Sequence, residues 1–241
     1  MPAERYFIPE IFLPNRPLFI EGQEFHHLIH VMRAKQHDTI ELVNGKGDLA
    51  TATIQQLEKK RAVCDLNEIM HVPKAKFEIV LAQAIPKMNR LDFILEKGTE
   101  LGMTQLWLFP SQRGERKALT EHQLERMQGL TIAAMKQCGS LYLPLIQCKP
   151  VLEQWQKEWM IYPSFYGDVD PKAPSCKQKF KEQSLSNGII FFIGPESGLT
   201  DQEEASLKNL QAQGVKLHPH ILRTDTAALA ALCAISQDQH S

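Results

Sequence analysis

The spacing of apolar residues changes character near Pro73. Before it, apolar and polar side chains alternate over short segments. Thr39-Ile40-Glu41-Leu42-Val43 and Leu49-Ala50-Thr51-Ala52-Thr53-Ile54 flank Asn44-Gly45-Lys46-Gly47-Asp48, which is the pattern of a β-hairpin. Arg61-Ala62-Val63-Cys64-Asp65-Leu66-Asn67-Glu68-Ile69 reads as a further strand after the charged turn Glu58-Lys59-Lys60, and a short helix over residues 24–33 precedes the hairpin. A small barrel or curled sheet over residues 1–72 accounts for this pattern.

After Val72-Pro73-Lys74 the apolar runs lengthen and alternate with helical spacing. Phe77-Glu78-Ile79-Val80-Leu81-Ala82 predicts a buried strand, and Leu91, Ile94, Leu95, Gly98 and Leu101 share one face of a helix over residues 90–101. Gln105-Leu106-Trp107-Leu108-Phe109 is the next strand, and Thr120 with Gln123 caps a long helix reaching about Cys138. Strand and helix candidates go on alternating, so residues 73–241 predict an α/β domain: a parallel sheet covered by helices, with ligand at the C-terminal ends of its strands. Residues 172–186, rich in Lys, Gln, Ser and Pro, predict a mobile surface loop. No internal repeat is evident.

Two segments stand at such strand ends. Gly194 and Pro195 break the run Gly188-Ile189-Ile190-Phe191-Phe192-Ile193, and Thr200 with Glu203 then forms a T-x-x-E capping box that opens a helix. Ile221-Leu222-Arg223-Thr224-Asp225-Thr226-Ala227 forms a second loop-to-helix junction. Side by side, two such loops present free backbone N–H groups, and glycine lets the main chain approach a small ligand.

Composition narrows the class. A chain of 241 residues has room for two domains, and its formal net charge of -1 does not advertise nucleic-acid binding as a pI above roughly 9 would. Any RNA contact must rest on local patches. Cys64, Cys138, Cys148, Cys176 and Cys233 are scattered and lack C-x-x-C spacing, which argues against a disulfide framework and a structural zinc site. Without a signal peptide or a membrane-length apolar run, a reduced cytoplasmic protein is expected.

The motifs, taken in order, resemble the bacterial small-subunit (16S) ribosomal RNA uridine-N3 methyltransferases of the RsmE type, members of the SPOUT superfamily. They run from Arg5-Tyr6-Phe7, His26-His27-Leu28, Val31-Met32-Arg33 and Asn44-Gly45-Lys46-Gly47 to Ala82-Gln83-Ala84-Ile85-Pro86-Lys87. Glu96-Lys97, Thr99-Glu100-Leu101-Gly102, Lys136-Gln137-Cys138-Gly139 and the two C-terminal loops complete them. The resemblance implies a PUA-like RNA-binding barrel over 1–72 and a SPOUT methyltransferase domain over 73–241 with a C-terminal trefoil knot. It further implies a homodimer, S-adenosyl-L-methionine as cofactor and the small ribosomal subunit as partner. True knots are nearly absent from folds, so that expectation rests on the resemblance alone.

By the same resemblance, backbone groups of the two loops hold the cofactor: Ile193, Gly194, Pro195, Glu196, Gly198, Leu217, Ile221, Leu222, Thr224, Thr226 and Ala227. An ordinary loop packed beside core Ile and Leu side chains is the alternative. Glu196 is a candidate base for the uridine N3 proton, or else a helix-capping carboxylate. Arg223, permanently charged, is a fork for a phosphate or a uridine anion, or else a salt-bridge partner. Thr224 is also placed to be the N-cap of the last helix. Arg5, His26, His27, Arg33 and Lys35 are candidates for an N-terminal RNA face, with Lys87, Arg90, Arg113, Arg116 and Lys117 adding basic groups near the strand ends; a solvated charged face is the alternative. His26 and His30, at i and i+4, lack a third ligand, so no metal is expected.

Three departures from the family pattern stand out. Ser197 takes the place of a usual Gly, so a positive φ there would be strained. His218-Pro219-His220 replaces a segment with Gly and Arg, and Ser140 follows Cys138-Gly139 where Arg is common. These leave open an enzyme with another RNA target, or a catalytically silent RNA-binding assembly factor. A nucleotide kinase or phosphatase is disfavoured by the absence of a G-x-x-x-x-G-K-[ST] pattern.

Overall fold

The computed structural model describes residues 4–183, 185 and 187–239, which divide into two compact units. The first runs through Lys74 and includes Ile132–Leu143. Its strands are β1 (Arg5–Phe7), β2 (Leu18–Glu21), β3 (Thr39–Val43), β4 (Asp48–Leu57) and β5 (Arg61–His71), in the sheet order β1-β3-β4-β5-β2. β1 is parallel to β3, and the other pairs are antiparallel. Register shifts between Thr51 and Ala52 and between Ile54 and Gln56 bend β4 against β5, as bulges do.

The expected hairpin forms between β3 and β4. Asn44 Oδ1 accepts the backbone N–H groups of Lys46 (2.9 Å) and Asp48 (3.1 Å), while Gly45 and Gly47 take φ of 71° and 101°. Only glycine enters those angles without a Cβ penalty. The expected short helix is α1 (Gly22–His26) running into a π-helical turn, His27–Val31, and Leu28 buries into a core with Tyr6, Ile20, Leu42 and Ile54.

The second unit comprises Ala75–Thr131 and the chain from Pro144 on. Its strands β6 (Glu78–Ala84), β7 (Gln105–Phe109), β8 (Leu145–Cys148), β9 (Ser164–Gly167), β10 (Gly188–Ile193) and β11 (Gln213–Val215) form one sheet in the order β11-β9-β10-β6-β7-β8, with every pair parallel. The helices are α2 (Met88–Glu100), α3 (Glu121–Cys138, its last turns belonging to the first unit), α4 (Cys176–Glu182), α5 (Asp201–Asn209) and α6 (Thr224–Gln239).

Helices on both faces explain why the central strands β6, β7 and β10 are almost wholly buried. In β10, Ile189, Phe191 and Ile193 face a core with Leu91, Ile94 and Leu95 of α2 and Ala228, Leu232 and Ile235 of α6. Ile190 and Phe192 point the other way, toward Trp107, Trp155 and Leu207 of α5. After β11 at the sheet edge the chain returns across the sheet, so that α6 packs on α2, β6 and β10. That return is compatible with the expected knot.

Residues 172–186 are not a bare loop. Ser175 Oγ accepts the Gln178 N–H at 3.2 Å and starts α4, whose Cys176 and Phe180 are buried. Those two apolar positions, one helical turn apart, give the segment a buried stripe that its polar composition masks. Ser184 and Ser186 of the expected loop lie outside the described residues.

Candidate cofactor site

Three segments that follow neighbouring strands of the second unit enclose a cavity of about 380 Å³: Gly167 to Pro171 after β9, Ile193 to Leu199 after β10, and Lys216 to Leu222 after β11. The C-terminal ends of parallel strands are where such sheets bind ligands. Of the residues expected to hold cofactor, Ile193, Gly194, Pro195, Glu196, Gly198, Leu217, Ile221, Leu222, Thr224 and Ala227 all line this cavity. Thr226 is exposed and does not.

Local geometry follows from residue type. A Cβ on Gly194 would stand 3.0 Å from Leu199 Cγ, so a side chain there would press into the loop. The capping box forms as expected, with Glu203 N–H donating to Thr200 Oγ1 (3.2 Å) and Thr200 N–H to Glu203 Oε2 (2.8 Å). The strain anticipated at Ser197 does not arise. Gly198, one residue later, takes the positive φ of 75°, and Ser197 Oγ instead donates to Arg113 O at 2.9 Å.

Thr224 also departs from expectation. It is the first residue of α6 rather than the cap before it, and its hydroxyl donates to Gly194 O at 2.7 Å while accepting from Gln83 Nε2 at 2.9 Å. The loops are tied on a second side by Arg90, whose Nε stands 3.3 Å from Glu196 Oε1 and whose Nη1 donates to Asp225 Oδ1 at 2.9 Å. Glu196 also accepts the Lys87 backbone N–H at 3.2 Å. Arg223 is exposed, with no ion pair or side-chain hydrogen bond among the described residues, so the salt bridge considered for it does not form. Its chain neighbours Leu222 and Thr224 both line the cavity.

Three carboxylates, Asp168, Glu196 and Glu204, and two cations, Arg113 and Lys216, line the cavity. Asp168 and Glu204 line the cavity beside Tyr166, whose phenol is pushed up to about 12 by burial first and then by those two carboxylates. Lys216 is engaged by the carbonyl of Pro171. The rings of His218 and His220 lie 5.3 Å apart and tilted by 51°, the His220 backbone N–H donating to His218 Nδ1 at 3.1 Å. The segment after β9 was not foreseen, although Ser164-Phe165-Tyr166 broken by Gly167-Asp168 repeats the apolar-run-then-glycine signature of β10.

The family model for an RNA methyltransferase domain matches residues 73–236, and that for an RNA methyltransferase PUA domain matches residues 20–67. The chain belongs to the RNA methyltransferase family. Ribosomal RNA small subunit methyltransferase E of Bacillus subtilis is 28% identical, over 97% of this chain and 96% of that protein. The protein of that name from Rickettsia conorii is 26% identical, over 87% and 85%. The crystal structure of ribosomal RNA small subunit methyltransferase E from Neisseria gonorrhoeae, bound to S-adenosyl methionine, is 29% identical, with a TM-score of 0.84 over 98% of this chain and 97% of that one. The α/β fold with a parallel sheet and a preceding PUA-like unit is thus that of an RNA methyltransferase.

The basic residues of this RNA methyltransferase divide by engagement. In the first unit Arg5 is held by Glu41 (3.0 Å) and by Gly139 O (2.9 Å), and His27 lies 2.9 Å from Glu4 and edge-on to Tyr6. His26, whose ring is 4.6 Å from that of His30, is exposed, as are Arg33 and Lys35. In the second unit Lys87 pairs with Glu115 (3.2 Å), Lys117 donates to Gln112 O (2.9 Å), and Arg113 donates to Leu199 O (3.0 Å) while lining the cavity. Arg116 is exposed. Among the described residues no group of three or more His, Cys, Asp or Glu could hold a metal, and no helix is long and apolar enough to cross a membrane. Among the described residues no disulfide joins the cysteines.

Proposed function

We propose that this RNA methyltransferase transfers a methyl group from S-adenosylmethionine to N3 of a uridine in 16S ribosomal RNA. The observation that carries the reading is the cavity at three strand ends, where loop backbone is exposed beside the apolar side chains of Ile193, Leu217 and Leu222. An adenine calls for backbone donors and acceptors beside apolar walls, and a cationic donor is matched by the carboxylates of Asp168, Glu204 and Glu196. Gly167 supports the fit: a Cβ there would have only Leu217 (3.6 Å) and Ile193 (3.8 Å) within 4 Å, so glycine keeps that wall of the cavity clear.

Bound S-adenosylmethionine supplies an electrophilic methyl group on sulfur. The chain's task is to exclude water, align a uracil N3 with that methyl and take up the N3 proton. Arg223, exposed beside the cavity, stabilises the uridine anion or an adjacent phosphate. Glu196, paired with Arg90 and the Lys87 N–H, holds its loop in place, and its role as acceptor of the proton is the alternative that a Gln variant tests. Residues 1–72 act as the PUA-like RNA-binding domain and residues 73–241 as the catalytic domain, in a cytoplasmic homodimer with the small ribosomal subunit as substrate.

The test is incubation of purified protein with methyl-labelled cofactor and small subunits lacking the modification. Label in 3-methyluridine and primer-extension arrest at one uridine are expected. Label in another nucleoside would refute the position. Cofactor binding that is absent at millimolar concentration would leave an RNA-binding assembly factor.

A further inference from the structure

We infer that residues 83–90, linking β6 to α2, clamp the two cofactor loops together, with Gln83 and Arg90 acting as positioning residues. The inference rests on the reading that those loops hold the methyl donor, and it gives Arg90 a task other than RNA contact.

The inner jaw is Gln83, which is fully buried. Its Nε2 lies 2.9 Å from Ala84 O, 3.5 Å from Gly194 O and 2.9 Å from Thr224 Oγ1. Two of those three oxygens are carbonyls, which only accept, so this end of the amide must be the NH₂ group. The hydroxyl of Thr224 accepts from Gln83, and its own proton is therefore directed to Gly194 O, 2.7 Å away. A directional chain thus runs from Gln83 through the first residue of α6 to the loop after β10. Gln83 Oε1 is buried with no hydrogen-bond partner among the described residues, a penalty an apolar residue would avoid. A buried glutamine retained at that penalty points to a purpose for its donor end.

The outer jaw is Arg90, one guanidinium joining Glu196 of the first loop to Asp225 of the second. The Lys87 N–H to Glu196 bond adds a backbone contact from the same segment. Five contacts from eight consecutive residues therefore fix the separation of two loops that are far apart in sequence.

Amide hydrogen exchange on the cofactor-free chain tests the clamp. Gly198 N–H bonds to Pro195 O (3.0 Å) and Ala227 N–H to Arg223 O (2.7 Å), so one reporter sits in the loop after β10 and one in the first turn of α6, at the end of the second segment. Gln83→Met and Thr224→Val should each raise exchange at both reporters by about tenfold, the loss of roughly one hydrogen bond. Thr224→Ser, which keeps the hydroxyl, should not. Strand-centre amides at Leu81 and Leu106 are the controls. Unchanged exchange at Gly198 and Ala227 overturns the clamp. Acceleration spread equally to Leu81 and Leu106 overturns it too, since Gln83 would then matter only to general stability. Calorimetric titration of wild type with S-adenosylmethionine tests the underlying reading separately: loosened loops in the variants together with no binding by wild type keep the clamp and remove the methyl donor.

Discussion

The Ser197 hydroxyl donates to the carbonyl of Arg113 at 2.9 Å, and Arg113 returns a bond from its guanidinium to Leu199 O at 3.0 Å. The segment after β7 is thereby laced to the loop after β10, at a position where the resembling family usually has Gly. Because the positive φ belongs to Gly198, serine meets no backbone strain. Ser197→Gly should therefore lower stability by about 1 kcal/mol, combining a lost hydrogen bond with greater freedom of the unfolded chain. Urea denaturation measures it, and a midpoint equal to or above wild type would contradict the assignment.

Much of this was legible in advance because local signals and tertiary packing agree. Thr120 with Gln123 and Thr200 with Glu203 both form reciprocal caps where their spacing places them, and β7 spans Gln105–Phe109 as its apolar run indicates. The loop after β10 was legible for the same reason, since Gly194 and Pro195 interrupt a long apolar run. What stayed hidden depended on partners distant in sequence. The hydroxyl of Thr224 reads as a cap until Gly194 and Gln83 are brought beside it by sheet order. Arg5, Lys87 and Arg90 read as free cations until Glu41, Glu115, Glu196 and Asp225 are placed opposite them.

Glu203 supports the same loop from beneath and gives stability a pH dependence. Burial would raise its carboxyl, but the backbone N–H groups of Thr200 and Gln112 that it accepts bring it below the ordinary 4.5. A depressed folded value means the contribution is present above the unfolded carboxylate range and is lost as pH falls through the folded value. Glu203→Gln should cost about 2 kcal/mol at pH 7, because an amide turns a donor or a weaker acceptor toward those N–H groups. The variant should also lose part of the stability decline expected for wild type below pH 4.5. Parallel wild-type and variant profiles would show that Glu203 does not titrate in this way.

Arg223 is exposed without an ion pair among the described residues, so its removal disturbs no packing. Arg223→Ala should leave melting temperature and cofactor affinity unchanged while lowering methylation of small subunits about a hundredfold, the scale of one lost charge-stabilising donor. Wild-type turnover would remove it from the reaction.

Glu196 separates two roles. As proton acceptor, Glu196→Gln would collapse kcat at saturating cofactor, and the loss would ease as pH rises and N3 deprotonates unaided. As partner of Arg90 and the Lys87 N–H, it would raise the cofactor KM with kcat nearly constant. The paired geometry favours the second outcome, with KM up about tenfold, the loss of one charge-assisted bond. A collapse of kcat with KM unchanged would restore the base.

Gly167 ends β9 at the cavity wall, and a Cβ there would meet only the methyl ends of Leu217 at 3.6 Å and Ile193 at 3.8 Å. Both are ordinary van der Waals distances, and no positive φ is required at this glycine. Gly167→Ala should therefore fold normally and weaken cofactor binding only slightly. Gly167→Leu sends a branched chain past those methyl groups into a cavity of about 380 Å³, where it competes for the apolar walls offered to the adenine. Cofactor affinity should fall at least about a hundredfold, since overpacking of this size costs on the order of 3 kcal/mol when the neighbours cannot move. Circular dichroism and calorimetry on the two variants separate folding from binding. A Leu variant that folds and binds S-adenosylmethionine as wild type does would move the cofactor away from the segment after β9.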